Sequence, residues 1–384
     1  TPCPDIPVAY DITINVQEQR TASVSIGGGL DSVTGVFGSV GIADNNFRGR
    51  GQRVSLNGLV GSGVILNDAS IKRRMNMQVE LSFFEPYFFN ADTSLMSKLF
   101  FRDFGSYQVP LAIERRFGGE MTVAHRMSKV NKHLTSTFSL GVEHIDVREG
   151  DFNKIASLYQ KYNIPISERA KQLDGGLFMS LSPALIYDTR EGGTVTRKGT
   201  LASLRFDEEL GLLDFDKTHG KLSGSIKQYI PVGKKSSLSF MAKGGGKIHG
   251  DNMPEVMMYR LGGPYTIRGF KMSGVGPGDA FIMGSVEFAT PIPFLDRTRL
   301  ARKVKFLDNI RLTAWVDAGK IFNPTVTNTI YDRPLHAISA GVGLKLYIPG
   351  MGPLSVDYGI PFTNPGDNGN QGGYFTFGVG DLLY

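Results

Sequence analysis

One charge in this 384-residue chain stands among apolar neighbours: Arg268, within Leu261-Gly-Gly-Pro-Tyr-Thr-Ile-Arg-Gly-Phe270. Tyr265, Ile267 and Phe270 surround it, and Gly269 allows a tight backbone turn directly after it. If this guanidinium is buried it needs carboxylates, because its planar fork of donors fits them and an unpaired charge is costly away from water. The chemistry to expect is an internal ion pair rather than a reaction. The alternative is a solvated loop carrying an ordinary surface arginine, where most arginines sit. The surrounding segment, residues 248–280, is polar, Gly-rich and without periodicity. Loops of that length usually have a task.

Residues that could catalyse form no pattern. His125, His133, His144, His219, His249 and His336 are scattered, and none stands in a His-x3-His spacing. Serines are plentiful, but no elbow motif presents one as a nucleophile. Cys3 is the single cysteine, which excludes an internal disulfide framework and a multi-cysteine metal site. No enzyme activity, cofactor or metal is expected. The net charge of +6 is spread rather than clustered, which is weak evidence for an anionic partner such as nucleic acid or lipid headgroups, and no nucleic-acid partner is expected. Arg297, Arg299, Arg302, Lys303 and Lys305 could meet anionic headgroups or a partner domain, with a solvated turn as the alternative.

The elements that must position Arg268 are written in period two. Val24, Ile26, Gly28 and Leu30 alternate with Ser23, Ser25, Gly27 and Gly29. Met77, Val79, Leu81 and Phe83 alternate with Gln78, Glu80 and Ser82, and Ile310, Leu312, Ala314 and Val316 with Arg311, Thr313, Trp315 and Asp317. Such alternation predicts strands with one apolar and one polar face. About sixteen segments of roughly ten residues follow this pattern, the length a tilted strand needs to cross a bilayer. No run of 18 apolar residues could make a membrane helix.

Connections alternate too. Short turns fall near Asn45, Val130, Gly233 and Pro349, and longer loops near residues 148–176, 248–280 and 322–335. A short helix over Ile155–Tyr162 is expected to form a small surface cap. A soluble sandwich would also hide an apolar face. Against it stand the strand length, a polar face rich in Ser, Thr, Gly and charge, and aromatics near strand ends (Phe83, Phe84, Tyr87, Phe88, Phe89, Tyr229, Tyr347 and Tyr384). The fold expected is an all-β, 16-stranded antiparallel transmembrane β-barrel with a long loop folded inward.

Three motifs in order resemble the BamA superfamily of outer-membrane protein assembly factors: Ile267-Arg-Gly-Phe270, Val286-Glu-Phe-Ala-Thr-Pro-Ile-Pro-Phe294 and Trp315-Val-Asp-Ala-Gly319. The resemblance runs from about Ser23 to Tyr384 and implies that the Arg268 loop is the sixth extracellular loop. Asp11 to Gln19 resembles the end of a polypeptide-transport-associated (POTRA) domain. That implies residues 1–19 as a periplasmic remnant and 20–384 as the barrel, cut from a longer protein. It further implies an outer membrane, bacterial or of a derived organelle, and an insertase for unfolded β-barrel precursors. Membrane lipid and lipopolysaccharide, with periplasmic accessory subunits, are implied partners. The other reading is a polypeptide translocation channel of the two-partner-secretion or organelle-import type. A passive porin would need an open lumen and no Arg268 loop.

Strand phase places the expected partners of Arg268. Glu287 is in phase with Met283 and Ser285, and Asp317 with Arg311 and Thr313, so both face the lumen. The resemblance also implies a weak seam between the first strand, Thr21–Leu30, and the last, Gly373–Leu382. Val24, Ile26, Gly27 and Gly28 mark one side and Gly378 and Gly380 the other, since glycine weakens a strand interior. The alternative is that these glycines make room for bulky lumen contents.

Overall fold

The computed structural model describes residues 20–65, 70–191, 195–293, 309–348, 352–363 and 372–379. The expected POTRA remnant, the basic stretch Arg297–Lys305 and Gly380 lie outside them. The wall begins with β1 (Ala22–Asp31), β2 (Gly35–Phe47), β3 (Gln52–Gly61), β4 (Asn76–Glu85), β5 (Thr93–Gly105) and β6 (Ala112–Arg126). It continues through β7 (Leu134–Glu149), β8 (Gly176–Asp188), β9 (Gly199–Gly211), β10 (His219–Val232) and β11 (Ser236–His249). After the three-residue β12 (Tyr259–Leu261) come β13 (Val275–Pro291), β14 (Ile310–Pro324), β15 (His336–Ile348), β16 (Gly352–Pro361) and β17 (Tyr374–Val379).

Every wall strand pairs antiparallel with the next, and β11 pairs directly with β13, leaving β12 as a short addition beside the start of β13. Sixteen strands thus form a nearly closed barrel. The alternating sequence is what makes this wall possible. On β14, Arg311, Thr313, Trp315 and Asp317 are buried inside, while Leu312 and Val316 are exposed outside. In a membrane that outer face meets lipid, and pairing around the wall satisfies the backbone groups that lipid cannot.

Alternate connections share an end of an antiparallel barrel. One end carries the β2–β3, β6–β7 and β10–β11 turns; the other carries the β7–β8, β11–β13 and β14–β15 loops. The loop before β13 is shorter than its sequence suggested, because β13 begins at Val275. Its opening, Val275-Gly-Pro-Gly-Asp, is poor in strand formers and hides the strand from a pattern search. The β7–β8 loop holds α1 (Phe152–Lys161) and also α2 (Ser167–Gln172), which period and propensity did not reveal. Nor is α1 a surface cap. Its Ile155 and Tyr159 are buried against Leu111, Ile330 and Tyr331, the last two from α3 (Val326–Ile330) and its C-cap.

A hydrogen-bond chain locks these loops together. Tyr159 donates to Gln172, Gln172 to Thr327 of α3, and Thr327 to Glu255, at 2.5, 2.5 and 2.6 Å. Arg260 of β12 donates to the same Glu255 oxygen at 2.7 Å. The loop bearing Arg268 is therefore anchored from above as well as from the wall.

Candidate functional site

Register assembles the site before any loop residue arrives. Across β13, β14 and β15, Ser285 stands opposite Asp317 and Asp317 opposite Ser339. Two residues along each strand, Glu287, Trp315, Gly341 and Gly359 form the next inward row. Thr313, Gly343 and Asp357 form a third. The inner wall thus presents three carboxylates, three hydroxyls and one indole within a few strand spacings.

Arg268 fills the space above these rows and is 1% exposed. Its Nε and Nη2 donate to the two oxygens of Asp317 at 2.8 and 2.9 Å, a bidentate fork. Its Nη1 donates to Glu287 at 2.6 Å and lies 3.5 Å from Asp357. Nη2 also reaches the Ser285 hydroxyl at 3.2 Å. The backbone takes part: Arg268 N–H donates to Asp317 at 3.0 Å, and the Ser339 hydroxyl donates to the Arg268 carbonyl at 2.5 Å. The guanidinium carbon sits 4.1 Å from the centre of the Trp315 ring, whose N–H donates to Asp357 at 2.9 Å. Lys345 closes the group, donating to both oxygens of Glu287 at 2.6 and 2.8 Å.

Apolar neighbours seal the ion cluster. Ile267 and Phe270 are 0% and 1% exposed and pack with Leu261, Met241, Phe281, Met283 and Ile321. Water exclusion strengthens each charged hydrogen bond and makes any broken one expensive.

Glycines shape the fit at two positions. Gly269 adopts a φ of +83°, where a side chain would be strained, and a Cβ there would lie 3.0 Å from the Gly359 backbone. A Cβ on Gly359 would lie 2.4 Å from the Trp315 ring and 2.8 Å from Gly269 Cα. The wall is bare here so that the loop backbone can touch it.

The two seam strands are joined differently from the others. Among the described residues, β1 has a ladder only with β2, and β17 only with β16. Val24 and Ile26 are 70% and 86% exposed outside, and Gly27 and Gly28 are exposed too. The link between the ends is at the strand margin, where Ser32 N–H donates to Phe377 C=O at 2.9 Å and Phe377 N–H to the Ser32 hydroxyl at 2.8 Å. Gly378 is buried, and a Cβ there would lie 3.3 Å from Pro264 and 3.5 Å from the Tyr265 ring. At this position the glycine makes room for the loop.

Sequence phase brought Glu287 and Asp317 to the right face. Asp357, Lys345, Ser285, Ser339 and the Trp315 ring were not singled out, although each lies on an inward phase of its strand. The added signal was the Ser-x-Asp-x-Gly of Ser355 to Gly359, an acid in a lumen-facing position followed by a bare one.

The chain matches the Omp85 superfamily domain over residues 46–381. It is 27% identical over 248 residues to sorting and assembly machinery component 50 homolog B of Xenopus laevis, covering 60% of this chain and 51% of that one. The chain spans about half the length of that curated relative. Among solved structures, BamA of Haemophilus ducreyi lacking POTRA domains 1–3 superposes with a TM-score of 0.69 at 21% identity, over 94% of this chain and 70% of that one. CdiB of Escherichia coli superposes with a TM-score of 0.61 at 14% identity, over 91% and 60%.

Proposed function

The chain belongs to the Omp85 superfamily, as a BamA-type barrel of the outer membrane of bacteria or of the organelles derived from them, and from that premise we propose that it is an insertase. It folds β-barrel precursors into the membrane through the seam between β1 and β17. The observation that carries this reading is the uneven wall: fifteen neighbouring pairs are joined by ladders, whereas the described residues of β1 and β17 are not. An incoming strand brings a row of backbone N–H and C=O groups that lipid leaves unsatisfied at several kcal/mol each. A strand edge on β1 supplies partners for that row, the β-augmentation mode of recognition. The Arg268 latch holds β13 to β16 rigid beside β17, on one flank of the seam, so that opening is confined to one line. No catalytic side chain takes part. Partners on this reading are unfolded precursors, the surrounding lipid with its lipopolysaccharide, and periplasmic accessory subunits.

Translocation of a polypeptide through the lumen is the second reading, favoured by the structural likeness to CdiB. The filled interior around Arg268 and Glu255 works against it. The test is reconstitution in lipid vesicles with an unfolded precursor barrel. Insertion should be faster with the protein than without it. A reversible cross-link from residue 24 or 26 to the last strand should return the rate to background, and reduction should restore it. Full activity with the seam locked removes the insertase mechanism, and precursor appearing in the vesicle interior supports the channel.

A further inference from the structure

On the edge of β17 facing β1, the backbone groups of Phe377 and Val379 find partners outside the ladder with β16. Phe377 gives both of its groups to Ser32. Val379, two residues on, bonds to a loop side chain instead. Its N–H donates to the hydroxyl of Tyr265 at 3.0 Å, and its carbonyl lies 3.2 Å from the same hydroxyl. That hydroxyl in turn donates to Asp31 Oδ2, at the end of β1, at 2.7 Å. A loop side chain thus stands where a strand's backbone would stand, bonded to both sides of the seam.

Asp31 is built to hold it. Its other oxygen accepts the N–H groups of Val33 and Thr34 at 2.9 and 2.8 Å, which fixes the carboxylate, and the residue is 4% exposed. Tyr265 is placed by a tight turn in which Gly263 N–H donates to Ile267 C=O at 3.1 Å and Gly262 N–H to the Thr266 hydroxyl at 2.7 Å. The same turn leads directly into Arg268. Burial, and then the facing Asp31 carboxylate, push the phenol up from its usual range, so it keeps the proton it donates.

We infer that Tyr265 is a clasp on the seam, a positioning residue that ties β1 to β17 through Asp31 and Val379 and must let go before the strands part. The inference rests on the seam reading of the proposed function. Because the clasp and the Arg268 latch share one turn, movement at either is felt by the other.

The test uses the full chain with Cys3→Ser and spin labels on Leu30→Cys and Phe375→Cys, two outward positions on the seam strands. Distance distributions are measured in lipid vesicles. Tyr265→Phe keeps the ring and removes the hydroxyl. It should enrich the long-distance population roughly tenfold, the factor that corresponds to about 1.4 kcal/mol, within the range of one net hydrogen bond. Asp31→Asn, which can still accept from the turn, should act in the same direction. The double variant should add little, since both changes break one bond. The thermal unfolding midpoint should stay near that of the parent, separating the clasp from general loosening. An unchanged or narrowed distribution in both variants overturns the clasp, whatever the insertion rate does. A widened seam with an unaltered insertion rate upholds the clasp and removes the insertase reading.

Discussion

Arg268→Ala should release the loop from the barrel wall and leave precursor insertion near background. The variant strands Asp317, Glu287 and Asp357 in a sealed interior with one guanidinium fewer, Lys345 remaining bonded to Glu287. Removing one partner from a buried ion cluster costs about 3–5 kcal/mol, since the remaining charges keep their desolvation cost. The local consequence is measurable as amide exchange over residues 262–274, which should accelerate by roughly two orders of magnitude. Arg268→Lys is the informative companion. A lysine keeps the charge but cannot span both oxygens of Asp317 while reaching Glu287, so protection should return only in part. Unchanged exchange and unchanged insertion in Arg268→Ala would show that the loop is held by its apolar contacts alone.

Gly359→Ala should be nearly as damaging, although it adds only a methyl group. That methyl would sit 2.4 Å from the Trp315 ring on one side and 2.8 Å from Gly269 Cα on the other. Neither can retreat, because Trp315 is held by its bond to Asp357 and by the guanidinium above it. Overpacking of this kind costs about 1–3 kcal/mol. The midpoint of thermal unfolding should fall, and loop protection should fall with it. Gly284→Ala is the control: it lies on the same wall, and its nearest contact, at 3.5 Å to the Met241 carbonyl, is ordinary. It should change stability by less than about 0.5 kcal/mol. Equal effects at the two positions would mean that close approach of the loop is not what the bare wall is for.

The fold was legible because alternation is a direct record of a wall with unlike sides. Leu312 and Val316 against Thr313 and Asp317 need no register to be understood. The same phase placed Glu287 and Asp317 inside. It could not show that Asp357, three strands from Glu287, belongs with them, because phase gives the face and not the height on a neighbouring strand. Height is set by pairing, and pairing depends on turns whose geometry sequence reports weakly. The start of β13 was hidden for a different reason, its run of Gly and Pro. Gly378 invited either a weak seam or a space for lumen contents, and nothing in the sequence showed that Pro264 and Tyr265 lie against it. Tyr265 itself looked like apolar filling, since nothing local pointed to Asp31, 234 residues away.

The join between Ser32 and Phe377 has a bearing on how this chain comes into being. Those residues are 345 apart in sequence, so nearly the whole barrel must be made and ordered before they can meet. Loop-closure entropy makes such distant pairing the slowest kind, and the strand margins stay uncovered meanwhile. The nascent chain therefore spends its longest kinetic interval as an incomplete ribbon with two sticky ends, prone to joining other ribbons.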